Sequence, residues 1–307
     1  MLDEEEHVSP VLAAVREVLE PLEIVFEIVC VDDGSSDGTF AALAAAHASD
    51  ARIRAVRLSR NFGKEHAVAA GLDAARGTYV ALMDADLQHP PQCLPLMLER
   101  LRADFEVVYG LRKSRVGQPF ARRVASRVFF GLMRRVANVK VVEGAGDFVM
   151  MRRVVADALR ACRESNRYMK GLFAWAGFRT SSVEYDQEER ASGGSRWTTW
   201  ALVRLALEGL TSFSMVPLRL TTYVGLAVAS VALVASAYYL IRFALYRDPI
   251  QGFPSIFVGM LFLGAVQLVC LGIIGEYLGR TYIEAKRRPL YLVRERLESL
   301  GQASDDW

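Results

Sequence analysis

The segment from residue 24 to residue 39, IVFEIVCVDDGSSDGT, joins an apolar run to two carboxylates and a turn that contains two glycines. The run is apolar except for Glu27 and has the form of a parallel strand that is buried on both faces. Further predicted strands at 53–58, 79–83 and 106–109 alternate with predicted helices at 10–19, 39–48, 65–75 and 90–101. This alternation predicts a Rossmann-like α/β domain with a mostly parallel sheet, in which ligands bind beyond the carboxyl ends of the strands.

The composition adds a membrane part to this domain. Charged residues make up 23% of the 307-residue chain, yet 52% of it is apolar and the mean hydropathy is +0.19. The excess apolar weight lies in two stretches without a charged residue, 220–241 and 250–275. Because about 20 apolar residues span a bilayer, the sequence predicts two transmembrane helices joined by a tight turn. A purely soluble, disordered or disulfide-framework protein is therefore excluded.

Basic residues flank the two predicted spans on the side of both chain termini. Arg219 precedes the first span, and Arg280 and a basic run from Lys286 follow the second. The positive-inside rule then places the α/β domain and both termini in the cytoplasm, on a multi-pass protein of the inner membrane. The acidic start from Met1 to Glu6 is unlike a signal peptide. The four cysteines have no metal-ligand or framework spacing, so we expect free thiols in a reducing compartment.

These boundaries divide the chain into four parts. We predict an α/β domain at 1–195, an amphipathic interface helix at 196–218, a transmembrane hairpin at 219–279 and a basic cytoplasmic tail at 280–307. Apolar residues at helical spacing between Trp197 and Ser214 favour a helix that lies on the membrane surface. An ordinary helix that docks on the α/β domain is the other interpretation of this segment.

Carboxylates end the first predicted strand, at Asp32 and Asp33. No lysine follows them, so the turn is not a phosphate-binding loop of the Walker type. Carboxylates at this place suit hydrogen bonds to a base or a ribose, or a metal ion. A plain turn in which Ser36 or Asp37 caps the next helix is the alternative, and both interpretations can hold together.

A second acidic segment, MDADLQ at 83–88, follows the predicted strand at 79–83. Alternate residues of an extended segment point the same way, so Asp84, Asp86 and Gln88 can present three oxygens to one hard cation. Mg²⁺ or Mn²⁺, completed by substrate phosphates, suits such ligands. A lone Asp-x-Asp is more often a pair of exposed loop acids, but its position at a second strand end favours a metal site.

The stretch from Val107 to Val142 contains nine basic residues and no acidic one. It favours binding to anionic lipid headgroups or a lipid phosphate over binding to nucleic acid, and a solvated basic helix is the remaining interpretation. We expect Arg112 and Arg115, which follow a strand end, to lie nearest the acidic segment. The arginines predicted to lie further out on a helix are Arg122, Arg123 and Arg127.

The two acidic strand ends, DDGSSDGT at 32–39 and DADLQHPP at 84–91, resemble those of glycosyltransferase family 2, which has the GT-A fold. Three further stretches are similar to the polyprenyl-phosphate branch of that family: LSRNFGKEHAVAAGL at 58–72, GDFVMMRR at 146–153 and GEYLGRTYIEAKRRPLY at 275–291. The resemblance implies transfer of a sugar, with inversion, from a nucleotide diphosphate sugar to polyprenyl phosphate. A UDP-sugar and undecaprenyl phosphate are the favoured substrates, and the product would be a lipid-linked sugar for cell-envelope glycans.

The resemblance also implies roles for individual residues. It assigns nucleotide-sugar binding to Asp3, Glu4, Asp32, Asp33, Lys64, Asp84, Arg190, Ser195 and Arg196. It assigns the Mg²⁺ or Mn²⁺ ion to Asp84, Asp86 and Gln88, and the reaction itself to Asp86 and Asp147. The basic stretch adds Arg112 and Arg115 to the residues expected to take part in the reaction. The residues expected to contact the acceptor phosphate and lipid are Arg112, Arg115, Arg122, Arg123 and Arg127. Membrane lipids and further copies of the chain, as a homo-oligomer, complete the expected partners, and nucleic acid is not among them.

The start of the chain departs from the family pattern. The family opens with a strand and a Pro-x-Tyr-Asn-Glu-Glu turn, whereas this chain has only the end of that turn, at residues 2–5. We interpret the departure as a truncated start rather than a genuine loss. Two other functions stay open: a membrane-anchored GT-A protein that has lost catalysis and acts as a scaffold, and a nucleotidyltransferase, whose usual glycine-rich loop is absent from the sequence.

Overall fold

The computed structural model describes residues 1–112, 145–165, 167–185, 216–246 and 252–298. The chain forms two compact units, one of Met1–Thr199 with Pro289–Trp307 and one of Trp200–Arg288. In chain order the elements are α1 (Glu5–Leu19), β1 (Ile28–Asp32), α2 (Thr39–Ser49), β2 (Ile53–Leu58), α3 (Lys64–Ala74), β3 (Tyr79–Leu82), α4 (Leu94–Arg102), β4 (Val107–Arg112), β5 (Ala145–Arg152), α5 (Arg153–Ala161), α6 (Met169–Ala176), β6 (Thr180–Tyr185), α7 (Val216–Tyr246), α8 (Phe253–Ala285) and β7 (Val293–Leu297). The predicted alternation of strands and helices up to β4 is confirmed.

The described strands form two sheets in the first unit. One has the strand order β1-β2-β7 and the other the order β3-β5-β4-β6. Pairing is parallel between β1 and β2 and between β4 and β6. It is antiparallel between β2 and β7, between β3 and β5 and between β4 and β5.

The prediction of a mostly parallel sheet is therefore wrong, and the architecture is mixed. The two strands responsible, β5 and β7, lie outside the part of the sequence in which strands and helices alternate. An antiparallel strand needs no helical crossover, so the alternation of elements cannot reveal it. β5 enters between β3 and β4 and runs against both of them.

Apolar periodicity explains how the helices pack on the sheets. In α1 the buried residues Val8, Leu12 and Val15 recur at helical spacing. Val8 and Leu12 pack with Leu43 of α2 and Ile53 of β2 in one buried cluster. A second cluster joins α4 to β4, β5 and β6, and its buried residues are Leu94, Met97, Leu98, Leu101, Val108, Phe148, Met150, Val183 and Tyr185. These two cores fix the strand ends that carry the polar residues.

The C-terminal residues return to the first unit, although the sequence predicted no strand there. β7 pairs with β2, and Ser59 N–H donates to Leu292 O at 2.8 Å. The Tyr291 hydroxyl donates to Asp73 Oδ2 at 2.6 Å, and the Tyr291 ring packs beside Val293 against the apolar residues of β2 and α3. Val293–Leu297, within the predicted basic tail, is thus an integral part of the first sheet.

The four cysteines are all in the described part of the chain, and each is free. Burial raises the pKa of the Cys30 thiol to about 11, so this side chain is an inert apolar core residue. The prediction of free thiols is confirmed.

The described residues of the second unit include two long helices, α7 of 31 residues and α8 of 33 residues. Among the described residues one segment is long and apolar enough to cross a membrane, Phe262–Ala285, which has 24 residues and a mean hydropathy of 1.7. The predicted span at 220–241 lies within α7, and the one at 250–275 overlaps α8. One candidate segment does not establish two spans, so the two-span hairpin stays a prediction.

The Tyr291 contact generates a test of how the tail stabilises the first unit. Tyr291→Phe keeps the ring but removes the hydrogen bond to the ionised Asp73, and such bonds contribute about 1.5–3 kcal/mol. We expect a lower melting temperature of the detergent-solubilised protein, by about 2–4 °C for each kcal/mol. Tyr79→Phe is the matched control, because the described residues offer its hydroxyl no hydrogen-bond partner. Equal melting temperatures for the two variants would show that the tail contributes nothing through this bond.

Candidate active site

The carboxylates at the end of β1 are buried and shape the loops around them. Asp33, 4% exposed, accepts hydrogen bonds from Phe62 N–H at 2.8 Å and from Gly63 N–H at 2.9 Å. Asp32 is fully buried, accepts a bond from Ser35 N–H at 2.9 Å and lies 3.3 Å from the Arg57 guanidinium. Both aspartates therefore hold the turn after β1 and the loop before α3 in place. Their predicted contact with a nucleotide stays a prediction.

A close approach of two loops explains the glycine after these aspartates. Gly34 has a φ of +76°, and a Cβ built on it would lie 2.4 Å from the Arg60 carbonyl carbon. A side chain at this position is thus excluded both by backbone conformation and by space.

The N-terminal residues pack against the same turn. Asp3 Oδ1 accepts hydrogen bonds from Ser36 N–H at 2.9 Å and from the Ser36 hydroxyl at 3.2 Å. Asp3 N–H donates to Ser35 Oγ at 3.0 Å, and Glu4 N–H donates to Thr39 Oγ1 at 2.9 Å. The structure thus brings the predicted nucleotide-binding residues Asp3 and Glu4 to the turn at the end of β1.

The second acidic segment is a turn rather than an extended strand. β3 ends at Leu82, and Leu87 has a φ of +56°. The alternate-residue geometry of a strand therefore does not apply here, and the joint metal binding of Asp84, Asp86 and Gln88 stays a prediction. Gln88 instead donates its amide Nε2–H to Asp86 Oδ2 at 2.6 Å and its N–H to Asp86 Oδ1 at 3.1 Å.

His89 supports this acidic turn through a hydrogen bond to its backbone, a role that the sequence did not reveal. Its Nδ1 accepts a hydrogen bond from Asp84 N–H at 3.2 Å. The ring stacks on Phe148 at 5.2 Å and meets the edge of Tyr185 at 6.3 Å. Burial lowers the pKa of His89 below its usual value, although Asp84 and Asp86 oppose this shift. The neutral imidazole, whose Nδ1 carries no proton, is therefore the form that accepts the bond from Asp84 N–H and positions this residue.

A row of alternating charges crosses the site between three elements. Lys64, the first residue of α3, places Nζ 2.7 Å from Asp84 Oδ1 and 2.6 Å from Asp147 Oδ2. Lys170 of α6 lies on the other side, with Nζ 3.4 Å from Asp147 Oδ1. The predicted residues Lys64, Asp84 and Asp147 are thus brought together, and Lys170 is an additional member that no sequence motif indicated.

The two central groups of the row, Lys64 and Asp147, stabilise each other's charged form. Burial alone would raise the pKa of Asp147, but the positive charges of Lys170 and Lys64 outweigh it and hold the pKa below its usual value. Burial would likewise lower the pKa of Lys64, but its hydrogen bonds to Asp147 and Asp84 outweigh this effect and raise it. The row is therefore two ammonium groups alternating with two carboxylates.

Glu65 links α3 to α6 behind this row. Its Oε2 accepts a hydrogen bond from Met169 N–H at 3.0 Å, at the first residue of α6. Burial raises the pKa of Glu65 above its usual value. Because Glu65 adjoins Lys64 in the chain and Met169 adjoins Lys170, this bond fixes the separation of the two lysines.

The donor set around the acidic turn fits one oxygen-preferring divalent cation only in part. Within the described ranges no group of three or more His, Cys, Asp or Glu side chains converges as metal ligands. The Asp84 carboxylate is bound to Lys64, and that of Asp86 to Gln88. Two carboxylates are nevertheless the usual protein share of a Mg²⁺ site that substrate phosphates complete. Asp84 and Asp86 fit such a site, whereas the Gln88 amide is hydrogen-bonded to Asp86 and its role as a third ligand stays a prediction.

Of the arginines predicted to contact the acceptor phosphate and lipid, Arg112 lies in the described part of the chain. It is exposed at the end of β4, in register with Tyr185 of β6, whose ring contacts His89. Arg112 thus lies at the edge of the sheet that carries the acidic turn. The predicted site residues outside the described ranges are Arg115, Arg122, Arg123, Arg127, Arg190, Ser195 and Arg196.

Comparison with known proteins gives the family of this site. Residues 3–160 match Glycosyl transferase family 2, and residues 216–281 match the GtrB C-terminal hairpin. An uncharacterised glycosyltransferase of Synechocystis is 41% identical over 295 residues, which are 96% of this chain and 93% of the relative. A prophage bactoprenol glucosyl transferase homolog of Escherichia coli is 39% identical over 294 residues, and a bactoprenol glucosyl transferase of Shigella phage SfV is 40% identical over 296 residues. Each of these two alignments covers 96% of both chains. The resemblance in the sequence is thereby confirmed: the chain belongs to glycosyl transferase family 2.

Proposed function

We propose that the protein transfers a sugar from a nucleotide diphosphate sugar, a UDP-sugar by preference, to undecaprenyl or another polyprenyl phosphate. The product is a lipid-linked sugar that serves the modification of cell-envelope glycans. The observation that carries the proposal is the row in which Lys64 bridges Asp84 and Asp147 at the edge of the sheet. The relatives from Escherichia coli and phage SfV carry the name bactoprenol glucosyl transferase, and this name supports a polyprenyl lipid as the acceptor.

In this proposal Asp84 and Asp86 hold Mg²⁺ or Mn²⁺ together with the donor diphosphate. The ion would neutralise the charge that grows on the departing nucleotide diphosphate. Asp84 can bind the metal ion only if its ion pair with Lys64 breaks. Lys64 then keeps its ion pair with Asp147. Asp3, Glu4, Asp32 and Asp33 border the same end of β1, where we place the nucleotide.

The acceptor needs no strong base. The second pKa of a phosphomonoester lies near ~6, so the lipid phosphate is largely dianionic at neutral pH and is already a nucleophile. Its oxygen forms the bond to the anomeric carbon while the bond to the diphosphate breaks, and the diphosphate leaves with the electron pair. This single displacement inverts the anomeric centre. Asp147, bound on both oxygens by lysines, positions substrate and the two ammonium groups rather than taking a proton.

The second unit supports a proposal of membrane attachment. Large apolar side chains on both long helices are exposed, among them Val231 at 70% and Leu268 at 72%. Apolar faces of this size mark contact with lipid or another protein, and we propose that α7 and α8 both cross the bilayer. The first unit and both termini lie on the cytoplasmic side, with the segment 196–218 on the membrane surface. Arg112 and Arg115 then bind the acceptor phosphate, while Arg122, Arg123 and Arg127 contact lipid headgroups, in an oligomer of identical chains.

The metal proposal predicts that Asp86→Asn abolishes nearly all transfer while the protein stays folded. The substitution removes one negative charge from the pair of carboxylates, and losses of one electrostatic catalytic group are about 100-fold or more. Transfer of labelled sugar to undecaprenyl phosphate in Mn²⁺ measures the effect, and the melting temperature checks folding. Asp157→Asn, at an exposed carboxylate of α5, is the control. Full turnover of the wild-type protein in excess chelator would refute metal dependence, and full activity of Asp86→Asn would refute the role of that residue.

The topology proposal predicts that the connection between α7 and α8 faces the outside of the cell. A Gln251→Cys variant, in a chain whose four native cysteines are replaced, should react with an impermeant thiol reagent on intact cells. Glu17→Cys, at an exposed position of α1, should react only after the cells are permeabilised. The reverse labelling pattern would invert the orientation, and labelling of both variants only after permeabilisation would exclude the hairpin.

A further inference from the structure

Lys170 has no role in the chemistry described so far, yet it is placed at the reaction centre. Its Nζ lies 3.4 Å from Asp147 Oδ1, whereas the other oxygen of this carboxylate is bound by Lys64 at 2.6 Å. Two ammonium groups that share one carboxylate repel each other, and the carboxylate between them offsets this repulsion. Lys64 is paired with both Asp84 and Asp147, whereas Lys170 shares only Asp147 and lies further from it, so Lys170 is the less neutralised of the two ammonium groups.

The two lysines differ in their carboxylate partners. Lys64 contacts Asp84, a residue of the acidic turn, as well as Asp147. In the described part of the chain Lys170 forms its ion pair with Asp147 alone. A lysine ammonium has three N–H donors, and the side chain of Lys170 is 35% exposed. Donors therefore remain for a ligand at the end of the row that lies away from Asp84.

The backbone beneath Lys170 is fixed before any substrate arrives. Met169 N–H is bound by the half-buried Glu65, and Leu172 and Phe173 are 0% and 5% exposed. α6 is thus held by a hydrogen bond at its first residue and by core packing one turn later. A cation on such a base loses little freedom when it binds a ligand, which favours binding.

We propose that Lys170 binds the phosphate of the lipid acceptor, and this assignment rests on the proposed function. In a single displacement the incoming oxygen approaches opposite to the leaving group, and the leaving diphosphate belongs at the acidic turn with Asp84. The acceptor phosphate therefore belongs at the other end of the row, where Lys170 offers N–H donors and a positive charge. Asp147 holds one lysine on each of its two oxygens, Lys64 towards the donor diphosphate and Lys170 towards the acceptor phosphate. The two phosphates are therefore neutralised by different lysines.

Direct binding tests the proposal without any turnover. The probe is farnesyl phosphate, a short prenyl monophosphate, added to the full-length protein in detergent. We expect Lys170→Met to weaken its binding about tenfold or more, because a hydrogen bond to a charged group contributes that much affinity. Binding of UDP with Mn²⁺ should change less than about twofold. Arg100→Met, which removes an exposed cation of α4, is the control and should bind both probes like the wild type.

Two further arms separate the phosphate from the lipid and from the fold. Farnesol, which lacks the phosphate, should bind equally to Lys170→Met and to the wild type. Lys170→Arg, which retains the positive charge, should recover part of the affinity for farnesyl phosphate. This second variant keeps the assignment testable if the melting temperature of Lys170→Met shows that it is poorly folded.

Equal affinity of wild type and Lys170→Met for farnesyl phosphate would overturn the assignment. If Lys170→Met loses binding of UDP but keeps binding of farnesyl phosphate, the assignment is also overturned, because the phosphate at Lys170 would then be that of the donor. Absence of farnesyl phosphate binding by the wild type would overturn it as well. If the wild type binds farnesyl phosphate through Lys170 but transfers no sugar to polyprenyl phosphate, the proposed function fails while the phosphate site stands.

Discussion

The buried carboxylate of Asp33 accepts two backbone hydrogen bonds, from Phe62 and Gly63, directly before α3 begins. Each of these N–H groups would cost about 1–3 kcal/mol if it were left buried without a partner. The pair of bonds ties the end of β1 to the start of α3 and so determines where Lys64 stands. From that position one ammonium group reaches both Asp84 after β3 and Asp147 on β5. Residues from three separate parts of the sequence thus depend on one buried aspartate.

Short-range patterns were sufficient to predict the first half of the fold. The short strand predicted at 53–58 is β2 with the same bounds, and Thr39 begins α2 as predicted. The acidic segments at 32–39 and 84–88 were recognised because both follow strands whose periodicity is strong. Lys64 and Asp147 came from the family motifs that contain them. The site residues that belong to such motifs could therefore be found in the sequence alone.

Features that depend on contacts between distant residues could not be found in this way. β7 pairs with β2 across more than half of the chain, and β5 enters its sheet against the direction of its neighbours. The positive φ of Leu87 turns the acidic segment and removes the alternation on which the three-ligand prediction relied. Lys170 and His89 carry no local signal, because their roles come from partners on other elements. Tertiary packing decides each of these features.

The central claim is that the charged row of the first unit catalyses sugar transfer to a polyprenyl phosphate. Its most direct test is incubation of the purified full-length protein with undecaprenyl phosphate, a divalent cation and each of a panel of labelled nucleotide sugars, followed by extraction of the lipid. One donor should label the lipid fraction, and this label should disappear when the phosphate-free polyprenol replaces the acceptor. Catalysis of this transfer would be refuted if no donor labels the lipid although the protein binds nucleotide, or if label appears equally with the polyprenol.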